Sequence, residues 1–220
     1  MPLATSHYHS HSFELPDVET VYHADCWRTK DGVHWDLVAD ELPWAPRCMV
    51  GGSAVLNGKM YIIGGGTYDT PGAPQRVYHS DVWATSDGAD WECVSPTCQW
   101  EARAYHEVAV FDQKLWLLEG YTPPSWEIGL SGPFISRTSG QNGRPDPAAV
   151  EAPTQWRHGN RKDCWWSADG VDWHEVRDTP WAPRHAASVY VFDDSLWMVA
   201  GNNMQPDVWR LSRVGDAAKL

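Results

Sequence analysis

The sequence predicts an all-β chain built from repeated four-stranded antiparallel modules, on three observations. An Asp-x-Trp tripeptide begins at Asp25, Asp81, Asp163 and Asp207. In the first three copies a second tryptophan follows at a constant distance, at Trp35, Trp91 and Trp173. Beyond it come a further tryptophan and an arginine, Trp44 and Arg47, Trp100 and Arg103, Trp181 and Arg184, and then two apolar strands joined by a short polar turn. Self-similarity of this kind marks a repeat architecture and has to be recognised before any local reading.

Each module divides into two hairpins. The first strand of a module starts at its arginine. The second strands run Met60-Tyr-Ile-Ile-Gly-Gly65, Leu115-Trp-Leu-Leu-Glu-Gly120 and Leu196-Trp-Met-Val-Ala-Gly201. The third strand carries Asp-x-Trp, and the fourth carries the second tryptophan. Between those two lie Thr29-Lys-Asp-Gly32, Thr85-Ser-Asp-Gly88 and Ser167-Ala-Asp-Gly170. Asp-Gly favours the positive φ angles of a tight two-residue hairpin, as does Asn57-Gly58 in the other hairpin of the first module. The preceding Thr or Ser can bond back into the turn. Val, Tyr, Trp and Ile alternate with polar residues as half-buried strands do, and no helical period is sustained anywhere.

The order arginine, strand, apolar–aromatic strand, Gly-Gly, variable loop, Asp-x-Trp and distant Trp resembles the kelch repeat over roughly residues 21–211. The Thr/Ser-x-Asp-Gly-x-x-Trp turn also resembles the Asp box of sialidase-like propellers, without the residue that family places between Asp and Gly. Glu119 and Ala200 depart from the kelch pattern, standing where its first glycine belongs. The resemblance implies a β-propeller of kelch-type, four-stranded blades. Residues 1–20 form an N-terminal tail, 21–214 the blades with an insertion loop at 121–161, and 215–220 a C-terminal tail. The chain opens on an outer hairpin at 21–38, continues with blades at 47–95 and 103–176, and closes with three strands at 184–214. That makes thirteen strands, about three and a quarter blades, whereas propellers carry four to eight. The ring is therefore expected to be incomplete. Three closures are open to it: a second copy completing a homodimeric ring, further blades upstream of this sequence, or another protein covering its ends. An open arc would expose apolar faces and strand edges.

Composition narrows the function classes. The chain has 220 residues, is 42% apolar and 21% charged, and holds 15 tryptophans. No run reaches the roughly 20 apolar residues of a membrane-spanning helix. Neither a basic start nor an apolar stretch marks the first residues as a leader, which points to a cytoplasmic protein. A formal charge of −12 disfavours nucleic acid as a partner. The five cysteines are odd in number and irregular in spacing; Cys93 and Cys98 flank a turn and could pair.

Twelve of the tryptophans occupy repeat positions, where packing between blades is their expected role. The resemblance places Arg47, Arg103 and Arg184 at the rim of a central pocket, where bidentate guanidinium–carboxylate bonds could hold an acidic ligand. The alternative is that each pairs with an aspartate of the adjoining turn and ties blades together. Residues that break the repeat are stronger functional candidates: His106, Glu107 and Glu119 in the second full blade, and Trp126 and His158 in the insertion. His106 and Glu119 facing one pocket could serve as acid and base. The alternative is a buried histidine and a paired carboxylate. His7, His9 and His11 make a weak metal site, and no cofactor motif is present. Two functions follow. One is a binding or assembly module for a protein or a small acidic ligand, completed by self-association. The other is an enzyme acting on a glycan or sugar acid.

Overall fold

The computed structural model describes residues 23, 25–45, 47, 52–67, 77–122 and 159–213. Among them thirteen strands form four antiparallel sheets, and no helix occurs. A two-stranded sheet of β1 (Cys26–Thr29) and β2 (Trp35–Ala39) comes first. Blade one follows as β3 (Ser53–Leu56), β4 (Lys59–Ile63), β5 (Val82–Thr85) and β6 (Glu92–Ser95), paired in that order. Blade two repeats it with β7 (Glu107–Phe111), β8 (Lys114–Leu118), β9 (Cys164–Ser167) and β10 (His174–Val176). Blade three has three strands, β11 (Ser188–Phe192), β12 (Ser195–Val199) and β13 (Val208–Ser212). The innermost strands β3 and β11 both pack against β7, so blade two sits between its neighbours.

Period-two alternation places the core at the blade junctions. Along β8, Leu115 and Leu117 face blade one and pack with Leu56, Tyr61, Ile63 and Val82. Trp116 and Leu118, on the other face of the same strand, pack with Leu196, Met198 and Ala187 of blade three. A one-residue slip in register would exchange these two sets. The repeat tryptophans lock the outer part of each junction. Trp44, from the link after β2, meets Trp91 of blade one edge to face at 4.6 Å, and Trp100 meets Trp173 of blade two at 5.8 Å. Blade three lacks that partner, and Trp181 packs instead on Trp209 at 6.2 Å.

Two kinds of hairpin turn occur. Asn57-Gly58 is a two-residue turn with both φ positive, and Asp112-Gln113 and Asp193-Asp194 adopt the same form. The Asp-Gly turns are wider than the sequence predicts. In the first of them only Gly32 has positive φ, while the Asp31 side chain closes a longer loop by accepting from the N–H groups of Val33 and His34 at 2.8 Å. Asp87 and Asp169 repeat this arrangement.

Both ends of the arc are apolar. In blade three, Tyr190 and Phe192 stand beside Trp197 and Val199 on the face turned away from blade two, and Phe192 is 71% exposed. At the opposite end Trp27, Leu37 and Trp35 share the outward face of the β1–β2 hairpin, with Trp35 56% exposed. Val55 and Met60, opposite each other in blade one, are exposed beside it.

Candidate functional site

Each of the three arginines holds an acid, and that acid belongs to the chain. Arg47, Arg103 and Arg184 make bidentate pairs with Asp81, Asp163 and Asp207, the aspartates of the Asp-x-Trp tripeptides, at 2.6–2.9 Å. The same guanidiniums donate to the carbonyls of Gly64, Glu119 and Ala200, and through Nε to Ala45, Glu101 and Ala182. Four of the five guanidinium N–H groups are thus used within the blade. The second carboxylate oxygen of each aspartate also accepts the indole N–H of Trp83, Trp165 or Trp209. The three guanidiniums thus form internal clasps, the tie to an aspartate that the sequence offers beside the ligand reading. Arg103 and Arg184 are fully buried. Burial raises the Asp163 carboxyl, but the hydrogen bonds and charge of Arg103 and the Trp165 N–H outweigh it and hold the group below the ordinary value. Asp207, bonded by Arg184, is pulled down to about 2.

His106 and Glu119 do not form an acid–base pair. They flank the paired ends of β7 and β8, just before Glu107 and just after Leu118, and both are fully buried, yet they bond to neighbours on opposite sides of the sheet. His106 Nε2 donates to the Ile63 carbonyl of blade one at 2.9 Å. Glu119 Oε1 accepts the Ala187 N–H of blade three at 2.8 Å. Gly52 makes room for the histidine, since a Cβ there would come within 2.3 Å of Nε2. Burial, reinforced by the Arg103 charge, pushes His106 down to about 3. Burial raises Glu119 to about 8, and raises its neighbour Glu107 to about 7. At neutral pH, then, His106 is an uncharged donor and Glu119 is mostly protonated. Glu119 also holds the left-handed conformation that glycine supplies in blade one, with φ +53° against +60° at Gly64, as does Ala200 at +62°. The side-chain bond to Ala187 offsets a backbone cost of about 1–2 kcal/mol.

At one rim of the inner strands the chain gathers aromatic rings that repeat reasoning does not single out. Tyr78, Tyr121, His185 and Tyr105 form a run with centroid separations of 6.4, 5.5 and 5.3 Å. Backbone bonds pin this rim: Tyr121 N to Ala104 O, Gly120 N to Arg184 O, and Ala186 N to Tyr105 O. Alongside lies a cavity of about 500 Å³ over the Arg103 clasp, walled by Trp100, Thr122, Asn160, Arg161 and Lys162. Arg161 pairs there with Glu101. Trp126 and His158, together with nearly all of the insertion, lie outside the described residues, as do both tails and Cys48. Cys93 and Cys98 are free thiols.

In structure the chain is similar to YjhT, with a TM-score of 0.56 over 91% of this chain and 68% of that one, at 14% sequence identity. The fold is propeller-like. No family model matches the sequence, and no curated protein does.

Two measurements test these assignments. Asp163→Asn leaves the Arg103 charge buried without its counter-ion and is expected to cost about 3 kcal/mol in urea unfolding. An unchanged midpoint would mean that the clasp contributes nothing. The second is a stability–pH profile. Lowering of the His106 pKa gives stability that is full above the unfolded-state value of 6.5 and is lost as pH falls towards 3. Raising of the Glu119 pKa gives stability that is full below 4.5 and is lost as pH rises towards 8. Glu107, raised to about 7, adds a second loss between 4.5 and 7. The histidine therefore offsets only one of two carboxyl slopes between 4.5 and 6.5, and melting temperature should peak near pH 4.5, decline gently to 6.5 and fall more steeply above it. Glu119→Gln should flatten the decline between 4.5 and 6.5 and end the alkaline fall near pH 7, and a profile unchanged by that substitution would reject the assignment.

Proposed function

We propose that the chain is a kelch-type binding and assembly module whose two end faces are covered by a second copy, head to tail. The observation that carries this reading is the likeness between the open ends and the internal junctions. Within the chain, one face of every sheet packs its apolar residues and tryptophans against the opposite face of the next. The outward face of blade three, with Tyr190, Phe192 and Trp197, has the chemistry of the near side of such a junction. The outward face of the first hairpin, with Trp27, Trp35 and Leu37, has that of the far side. One copy thus carries both halves of a contact that it already makes twice internally. Contacts of this heterologous kind close into rings when the rotation allows. Burying large aromatic side chains contributes about 1.5–3 kcal/mol each. The internal carboxylates occupy the clasp arginines, which moves recognition away from those guanidiniums and onto the end faces and the rim.

Light scattering at micromolar concentration tests the reading. A discrete particle of about twice the 24.8 kDa chain mass is expected, reverting to monomer in Phe192→Lys and in Trp35→Lys. A monodisperse monomer of the unaltered chain would overturn it.

A further inference from the structure

The rim cluster around His185 has a hydrogen-bond order that fixes the state of its imidazole. The backbone N–H of His185 donates to Asn202 Oδ1 at 3.0 Å, which orients that amide without ambiguity. Asn160 Nδ2 donates to the same oxygen at 3.2 Å, so Asn160 must present its own Oδ1 to the histidine. His185 Nδ1 lies 2.7 Å from that oxygen and is therefore the protonated nitrogen. Nε2 is left as a lone-pair acceptor. Burial lowers the His185 pKa, which keeps the ring neutral at pH 7. The imidazole is flanked by Tyr105, tilted at 38°, and Tyr121, nearly edge-on at 69°.

We infer that this rim is a binding site for a neutral polyhydroxyl ligand of the sugar class. His185 Nε2 accepts one ligand hydroxyl, and Tyr105 and Tyr121 wall its apolar face. The pieces suit that chemistry. A fixed lone pair selects an O–H donor, and aromatic faces match the C–H faces of a sugar ring. Of the cations near the rim, Arg184 is neutralised by Asp207 and Arg161 by Glu101, while Lys162 lines the adjoining cavity, whose wall does not include His185. Among the described residues, the group facing the ligand at the imidazole is therefore a lone pair and not a cation. Asn160, which sets the tautomer, also walls the adjoining 500 Å³ cavity, giving a ligand larger than one ring a continuation. Because the site lies within one copy, the inference does not rest on the assembly reading.

Saturation-transfer NMR of the full chain with methyl glycosides of D-glucose, D-galactose and D-mannose, and with D-glucuronate, tests it. Long-range ¹⁵N spectra of the histidine rings are recorded alongside. The expected results are an Nδ1–H tautomer at His185 and transfer to at least one neutral glycoside. D-glucuronate should bind no better, and His185→Phe should weaken binding at least about tenfold with little change in melting temperature. Absence of transfer to all three neutral glycosides, a preference for glucuronate, or undiminished binding in His185→Phe would overturn the proposal. If that variant does not fold, the unaltered chain decides. An Nε2–H tautomer, or an Nε2 resonance that ~100 mM glycoside does not move, overturns it equally.

Discussion

The clasp of arginine, aspartate and tryptophan is the constraint on which the rest of the chain depends. Each guanidinium ties three places together: the segment entering the innermost strand, the carbonyl ending the second strand, and the aspartate opening the third. A planar fork meets all of these at once, and a lysine ammonium could not reproduce the geometry. Its burial makes the arrangement selective rather than merely attractive. A charge removed from water requires its partner in place, so the blade edge tolerates no partial version of itself. The indole N–H on the second carboxylate oxygen extends the same logic to the outer hairpin, which explains why aspartate and tryptophan recur as a unit.

Around that fixed edge the blades stack by simple alternation, and their junctions are finished by different means. The apolar core and the edge-to-face tryptophans are common to the series. The buried hydrogen bonds are not. Between blades one and two the bridge is a neutral imidazole donating to a carbonyl, and between two and three it is a carboxyl accepting from an amide. Both groups have their ionisation suppressed by the same dry surroundings, in opposite directions, because desolvation disfavours charge of either sign.

Much of the fold was legible in the sequence, since strands, turns and junction tryptophans recur in a fixed order. The width of the Asp-Gly turns was not, because it depends on the aspartate side chain reaching two backbone N–H groups beyond the dipeptide. Sequence reasoning named the clasp arginines but left their partner open. Those partners lie 34, 60 and 23 residues away, an interval that loop length makes irregular. His106 and Glu119 stood out as repeat breakers, yet only their hydrogen bonds, to Ile63 of blade one and to Ala187 of blade three, show that they reach opposite sides of the sheet. The rim around His185 gave no signal at all. Its members, Tyr105, Tyr121, Asn160, His185 and Asn202, occupy unmatched positions that become neighbours through the backbone ladder between blades two and three.

The unlike bridges on the two sides of blade two have a consequence for how the chain finds its order. Modules with nearly interchangeable cores risk docking in the wrong sequence, a characteristic failure of repeat proteins. A histidine that fits only beside Gly52 and Ile63, and a glutamate that fits only against Ala187, make the middle module a keyed piece. Turned toward the wrong neighbour, it would strand a buried polar group without its partner. These two residues therefore act as an addressing system, encoding which blade comes next in a chain whose apolar surfaces alone could not tell.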